Sequence, residues 1–133
     1  MEQKTNSSRM PFRFSLDMAS GVPLYRQVID QVRGSVASGA LVSGDQLPTV
    51  RQLAVDLAIN PNTVVRAYRE LELEGLLKTQ QGTGTFIADK KLRRGDSERE
   101  RQLNQLVTDF ISRAGTAGFT VEELIQKLQD RLP

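Results

Sequence analysis

A proline interrupts a segment built otherwise from strong helix formers, and it limits what the middle of this chain can fold into. Pro61 follows Asn60, whose side chain can accept a hydrogen bond from an amide of a first helical turn. Proline suits the first position of a helix, because the N–H group that it lacks would have no helical partner there. The pair therefore predicts a helix start, and we expect this helix to run to about Glu74 and to stop at Gly75.

Another helix is predicted nearer the start of the chain. It follows a turn at Ser20 and Gly21, takes Pro23 at its first position and closes near Gly39. Its apolar residues recur at spacings of one, three and four, which places them on one face. These residues are Leu24, Tyr25, Val28, Ile29, Val32 and Val36.

A shorter helix is predicted between these two. Thr49 and Gln52 have the spacing of a capping box, in which each side chain bonds to the backbone amide of the other residue. The helix that they start should turn Leu53, Ala54 and Leu57 inward.

Two short strands should follow the third helix. Residues 76–79 and 85–88 have strand character, and Gly82 and Gly84 lie in the segment between them, as is typical of a hairpin tip. Three helices followed by a two-stranded ribbon define a winged helix-turn-helix. The predicted fold class is mainly α with a small β-hairpin: a winged helix-turn-helix plus a C-terminal two-helix antiparallel hairpin.

The third helix has two chemically different faces. Asn62, Arg66 and Arg69 share one side in the N-terminal half, with Thr63 at its margin. Arginine can donate a fork of hydrogen bonds to guanine, and asparagine can pair with adenine, so we predict that this side faces double-stranded DNA. The alternative is an ordinary solvated helix surface. The other side should pack on the first two helices through Val64, Ala67, Tyr68, Leu71 and Gly75.

The composition argues against an enzyme. Cysteine and histidine are both absent, which excludes disulfides, metal sites built on these residues and catalysis by a thiol or an imidazole. The carboxylates Asp56, Glu70, Glu72 and Glu74 are spread over a wide helical surface. We therefore expect no catalytic residues, no metal and no cofactor. The polar first ten residues and the lack of a run of roughly 20 apolar residues predict a cytoplasmic protein without a membrane partner.

Two helices with large apolar faces are predicted near the C-terminus. One should start with a capping box at Ser97 and Glu100 and the other with a capping box at Thr120 and Glu123. The connection at 115–119 is short, so the two helices should pair antiparallel. Their apolar faces are too large to stay uncovered, so we expect a homodimer; folding back on the winged helix of the same chain is the alternative. The residues assigned to dimerisation are Leu103, Leu106, Val107, Phe110, Ile111, Leu124, Ile125 and Leu128.

These elements divide the chain into four parts. They are a flexible N-terminal tail (1–11), a winged helix-turn-helix DNA-binding domain (12–88), a linker (89–96) and a helical dimerisation domain (97–133). The linker is strongly basic, and we expect it to be solvated; extra contacts with DNA phosphates, which would steepen the salt dependence of binding, are the alternative. Its basic residues are Lys90, Lys91, Arg93 and Arg94.

Several spaced motifs occur in a fixed order within residues 12–88. They are Pro-Leu-Tyr-Arg-Gln-Val from Pro23, Gly-Asp-Gln-Leu-Pro-Thr-Val-Arg-Gln-Leu-Ala from Gly44, Asn-Pro-Asn-Thr-Val-Val-Arg-Ala-Tyr-Arg from Asn60, and Gly-Thr-Gly-Thr-Phe from Gly82. This series resembles the DNA-binding domain of the GntR family of bacterial transcription regulators. The third motif and the short C-terminal region resemble its YtrA subfamily.

The resemblance implies positions for DNA contacts. The arginine of the Leu-Pro-x-x-Arg motif falls on Arg51, which would contact the DNA backbone or a base edge, and the recognition helix would start at Asn62. The wing glycine falls on Gly82, near the minor groove. Many relatives carry a basic residue beside that glycine, whereas this chain has Gln81 and Thr83, so the wing should contribute less charge. The predicted DNA-binding residues are Arg51, Asn62, Thr63, Arg66, Arg69, Gly82 and Thr83.

The sequence therefore predicts a DNA-binding transcriptional regulator, namely a repressor that binds a palindromic operator as a homodimer. One alternative is a winged-helix protein-interaction module without DNA-binding activity. Another is a DNA-binding fragment of a longer chain, against which the complete helix caps and the terminal Pro133 weigh. The short C-terminal region leaves open an unknown small-molecule effector.

Overall fold

The computed structural model describes residues 12–89 and 96–133, which form five helices and three short strands. The chain divides into two compact units, Met1–Lys90 and Lys91–Pro133. The N-terminal unit contains α1 (Leu24–Ser38), β1 (Gln46–Leu47), α2 (Val50–Leu57), α3 (Pro61–Leu73), β2 (Leu77–Gln80) and β3 (Gly84–Ile87). The C-terminal unit contains α4 (Asp96–Ala117) and α5 (Val121–Asp130). The predicted fold class is confirmed.

The unit boundary lies inside the predicted linker, while the finer division into four parts stays a prediction. The predicted tail at 1–11 lies outside the described residues. So does the basic cluster of Lys90, Lys91, Arg93 and Arg94. Within the described ranges, no helix combines the length and the apolar character that crossing a membrane requires.

The starts of α2 and α3 are as predicted. The Thr49 hydroxyl accepts a hydrogen bond from the Gln52 amide at 3.0 Å, and the Gln52 side chain accepts one from the Thr49 amide at 3.1 Å. The Asn60 side chain accepts from the amide of Asn62 at 2.8 Å, and Pro61 is the first residue of α3. Helix α1 differs slightly, because Pro23 is extended (ψ 143°) and lies just before the first helical residue instead of occupying it.

The hydrophobic core of the N-terminal unit is centred on α3. Helices α1 and α2 and strand β2 all contact α3. Val64, Ala67 and Leu71 are each 0% exposed, and Tyr68 is buried beside them, so the inward face is the one that the sequence predicts. Gly75, which was predicted to pack with them, is instead exposed and follows the helix with a positive φ of 83°.

The sheet has one strand more than the sequence predicts. Strand β3 lies in the middle and pairs antiparallel with both β1 and β2. Strand β1 is only two residues long, and it was missed because Gly44 and Pro48 around it have the character of a connection. Its Leu47 is buried in the core, so the wing is joined to the segment that leads into α2.

The segment before α1 is fixed by a glutamine side chain. Among the described residues, no strand forms around Phe12 and Phe14. The carboxamide of Gln31 instead accepts from the amide of Ser15 at 2.9 Å and donates to the carbonyl of the same residue. The two phenylalanine rings meet edge to face at 4.7 Å and pack on the core.

The helices of the C-terminal unit depart from the sequence prediction at two ends. The predicted capping box at Ser97 is wrong, because Asp96 is already helical and Ser97 lies inside α4. Asp96 and Glu98 are acidic residues of its first turn, where negative charge interacts favourably with the helix dipole. The helix also passes through Gly115 and ends at Ala117, where Gly118 takes the left-handed conformation (φ 90°). The capping box of Thr120 and Glu123 is confirmed.

The C-terminal unit leaves most of its apolar side chains in solvent. Within 96–133, Ala114 is the buried residue and Leu124 is half-buried. Leu106 is 68% exposed and Phe110 is 45% exposed. The other large apolar residues exposed within 96–133 are Leu103, Val107, Ile111, Phe119, Val121, Ile125, Leu128 and Leu132.

Candidate nucleic-acid interface

The polar side of α3 faces solvent along its first turns. Asn62, Arg66 and Arg69 are exposed, and Thr63 is half-buried at the margin of this side. Asn62, Arg66 and Arg69 line one surface groove together. The opposite side of the same helix is fully packed, so α3 is held rigidly while its amide and guanidinium groups stay accessible.

Arg66 is oriented by an aromatic ring from α1. Its guanidinium carbon lies over the ring of Tyr25, 3.7 Å from the ring centroid. Tyr25 is half-buried and packs against the core. Next to this stack is a cleft of about 420 Å³ between the N-terminal ends of α1 and α3. The cleft is lined by Leu24, Tyr25, Asn60, Asn62, Thr63 and Arg66.

The guanidinium groups of the arginines predicted to bind DNA are not engaged in ion pairs within the described residues. These arginines are Arg51, Arg66 and Arg69. A guanidinium group that is not paired with a carboxylate keeps its N–H donors for an external acceptor. The surface therefore combines guanidinium donors that form no ion pair with an asparagine amide, which is the chemistry that reads base edges in a major groove.

The acidic end of α3 is occupied by contacts within the N-terminal unit. Arg33 donates from its Nε to a carboxylate oxygen of Glu74 at 3.1 Å and also forms an ion pair with it. This hydrogen bond and the negative charge of Glu74 raise the pKa of Arg33. Glu72 accepts a hydrogen bond from the hydroxyl of Thr79 in β2. Two of the carboxylates that would repel phosphate are thus held by partners at the end of α3 away from Asn62.

A buried tyrosine joins the two helices of the helix-turn-helix. The hydroxyl of Tyr68 in α3 donates to the carbonyl of Pro48 at 2.7 Å. Burial raises the pKa of Tyr68, since the charged phenolate would be poorly solvated there. Pro48 directly precedes the cap of α2, and exposed Arg51 lies in the first turn of that helix. Tyr68 therefore fixes the position of Arg51 relative to α3.

The wing is a hairpin whose tip is open to solvent. Gly82 has a positive φ of 79°, and no atom lies within 4 Å of where its Cβ would be, so another molecule can approach the backbone. Thr83 is exposed beside it, and its carbonyl accepts a hydrogen bond from the side chain of Gln46 at 3.2 Å. At Gly84 (φ 136°) a Cβ would come within 2.5 Å of that same side chain. Strand β1 therefore braces the tip.

All seven residues predicted to bind DNA are exposed or half-buried, and four of them lie on α3. Arg51 lies on α2, and Gly82 and Thr83 lie at the tip of the wing. Their contact with DNA stays a prediction. Sequence reasoning missed Tyr25 as the support of Arg66 and Gln46 as the brace of the wing, and neither residue has a local sequence signal for its role.

Known proteins provide an independent comparison. Residues 24–87 match the model of a family described as bacterial regulatory proteins, gntR family. The chain is 38% identical over 119 residues to the HTH-type transcriptional repressor YtrA of Bacillus subtilis. This alignment covers 86% of this chain and 88% of YtrA. The named relatives are transcriptional regulators, which supports DNA binding over the alternative of a protein-interaction module.

Solved structures extend the similarity through both units. One is a transcriptional antiterminator from Listeria monocytogenes, with a TM-score of 0.63 and 30% identity over 90% of this chain and 88% of the other. Another is YtrA from Sulfolobus acidocaldarius, a GntR-family transcription factor. Its TM-score is 0.55, with 32% identity over 71% of this chain and 97% of the other.

Proposed function

The chain belongs to the GntR family of bacterial regulatory proteins, and we propose that it represses transcription by binding a two-fold symmetric DNA operator as a homodimer. Membership makes it a transcriptional regulator and not an enzyme. A regulator of this kind must reach DNA, so we propose a cytoplasmic location. The observation that carries the proposal is the division of α3 into one face that is fully buried and one that presents Asn62, Arg66 and Arg69 to solvent.

We assign the first two turns of α3 to the major groove. Arg66 and Arg69 can donate to guanine, and Asn62 can pair with adenine. Arg51 would contact the backbone or a base edge from α2, and Thr63 would reach a phosphate or a base from the margin of α3. The wing would approach the minor groove through its tip at Gly82 and Thr83, with little charge to contribute.

Dimerisation is assigned to the C-terminal unit. Within residues 96–133, ten large apolar side chains are exposed, including Leu106 and Phe110. Exposed apolar area on this scale is typical of an interface, and a second copy of the same unit can cover it. Two copies would place two recognition helices about 34 Å apart, or a multiple of that distance, which demands a palindromic operator.

An effector would have a place in the C-terminal unit. Phe119 and Leu124 form an apolar wall, with Glu123, Gln126 and Lys127 around it, and the space between them is about 420 Å³. A small molecule bound there would lie beside the side chains assigned to dimerisation. It could therefore alter DNA binding by changing how two copies meet.

The proposal is tested by selecting bound sites from random DNA and measuring affinity for the enriched sequence. We expect a palindrome, and we expect Arg66→Ala to weaken binding by about 1–3 kcal/mol and to relax the preference at one base pair per half-site. Arg113→Ala removes the same charge from an exposed position on α4 and serves as the control. Failure to enrich any sequence, or equal losses in the two variants, would contradict the proposed function.

A further inference from the structure

We infer that Tyr25 is a positioning residue for DNA recognition: its ring holds the guanidinium of Arg66 in the orientation that reads a base. The inference rests on the proposed function and adds to it a residue on α1, outside the helix-turn-helix itself. Tyr25 need not touch DNA for this role, since it acts through Arg66.

The contact has the geometry of a strong stack. At 3.7 Å from the ring centroid, the Arg66 guanidinium carbon is well inside the distance of about 6 Å at which a cation and a ring face attract each other. The ring is itself immobilised, because Tyr25 follows the first residue of α1 and packs against the core. The guanidinium therefore rests on a fixed surface.

A guanidinium that lies over a ring at this distance can use its own face for the contact and leave its edges available. Base reading needs two N–H groups in the plane of the guanidinium, directed at the O6 and N7 of guanine. Within the described residues, Arg66 has no hydrogen bond or ion pair, although Glu70 lies one turn further along the same helix. A carboxylate partner would orient Arg66 equally well but would occupy the donors that DNA needs.

The prior orientation of Arg66 matters because an unrestrained arginine side chain loses conformational entropy when it binds. Such a long side chain gives up rotamer freedom when it is fixed against a base. A ring that restrains the side chain beforehand reduces this loss and raises the affinity for the correct base pair. We therefore expect Tyr25 to affect discrimination between sequences and not only total affinity.

The contact is tested first in the protein without DNA. The Arg66 side-chain protons should be shifted upfield in NMR spectra by the ring current of Tyr25. Tyr25→Phe should retain the shift, and Tyr25→Leu should abolish it while circular dichroism remains that of the wild type. An unshifted Arg66 in the wild-type protein would overturn the inference before any DNA is added.

The effect on recognition is tested by a double-mutant cycle on the selected operator. Tyr25→Leu should weaken binding about three- to thirty-fold and reduce the preference at the base pair that depends on Arg66. Tyr25→Phe should stay within about twofold of the wild type, and in an Arg66→Ala background Tyr25→Leu should add less than about twofold. If Tyr25→Leu does not fold, Tyr25→Met fills the same space with an unbranched side chain and replaces it in the cycle.

The outcomes separate this inference from the proposed function. If Tyr25→Phe weakens operator binding as much as Tyr25→Leu does, the hydroxyl of Tyr25 and not its ring face is responsible for the effect on affinity. If Tyr25→Leu has its full effect without Arg66, or none with it, Tyr25 does not act through Arg66. Each of these results overturns the inference while an intact operator complex of the wild-type protein leaves the proposed function standing. The absence of any selected operator removes both, as do equal losses in Arg66→Ala and Arg113→Ala.

Discussion

The two units of this chain differ in how far their helices bury their apolar side chains. In the N-terminal unit, α3 buries Val64 and Leu71 completely beneath α1, α2 and the sheet. In the C-terminal unit, α4 and α5 have clear apolar faces, yet Phe110 and Leu106 remain exposed. Both units have well-formed helices and a capping box, so secondary structure does not distinguish them.

The difference shows that a helix with a well-formed cap is not yet a stable domain. Burial of apolar area supplies most of the stabilisation of a small fold, and two helices alone cannot bury the sides that they turn away from each other. In the N-terminal unit, α1, α2 and the sheet together cover the apolar face of α3 and complete the core. We propose that a second copy of the chain supplies the equivalent cover for the C-terminal unit.

The largest effect is expected at Leu71, which is buried near the end of α3, and the nearby exposed Leu73 is its control. Leu71 is 0% exposed and Leu73 is 82% exposed. Leu71→Ala should lower the free energy of unfolding by about 2–5 kcal/mol, because it leaves a cavity in the core. Leu73→Ala should change it by less than about 0.5 kcal/mol. Urea denaturation of both variants measures this difference, and equal losses would contradict the burial of Leu71.

A smaller effect is expected at the apolar face of the C-terminal unit. Phe110→Ala should raise the dissociation constant of the dimer by at least about tenfold, since aromatic residues dominate the energy of such contacts. Sedimentation at several protein concentrations measures it. Leu73→Ala is the control, because it removes a large exposed apolar side chain from the other unit. If Leu73→Ala weakened the dimer and Phe110→Ala did not, the dimer contact would have to be moved to the N-terminal unit.

The smallest effect should be a loss of folding stability at alkaline pH through a tyrosine. Both tyrosines of the chain lie in the N-terminal unit. Burial raises the pKa of Tyr68 in the folded state, so above about pH 10 the unfolded state loses a proton that the folded state keeps. The free energy of unfolding should therefore fall as the pH rises, by at most about 1.4 kcal/mol per pH unit from this group.

Tyr68→Phe removes the contribution of the Tyr68 hydroxyl to the pH dependence of the free energy of unfolding. It should also lower stability at neutral pH by about 0.5–1.5 kcal/mol, because the hydrogen bond to the carbonyl of Pro48 is lost. Denaturant unfolding between pH 7 and 11 compares the two proteins, and all other titrating groups contribute to both. Parallel pH profiles would show that the Tyr68 hydroxyl titrates as it does in water.

Local signals in the sequence predicted most helix starts correctly. The cap at Thr49 and the start at Asn60 and Pro61 are confirmed, as is the cap at Thr120, because these interactions join residues no more than three positions apart. The start at Ser97 was wrong for a related reason. A serine can cap a helix only if the helix does not extend past it, and here Asp96 is already helical.

The division of α3 into a buried and an exposed face was also predictable. Helical periodicity alone groups Val64 with Leu71 and Asn62 with Arg66, and the structure places the first pair inside and the second pair outside. The supports of the site were not predictable in this way. No local pattern pairs β1 with β3 or places the side chain of Gln46 on the carbonyl of Thr83.

The sequence by itself determined the order of the helices, most of their first residues and which side of α3 turns away from the core. These properties depend on neighbours within about one helical turn. Only the tertiary structure decided that Tyr25 underlies Arg66, that Tyr68 anchors Pro48 and that β1 braces the wing. Those contacts join residues far apart in the chain, and their distances are fixed only when the whole core packs.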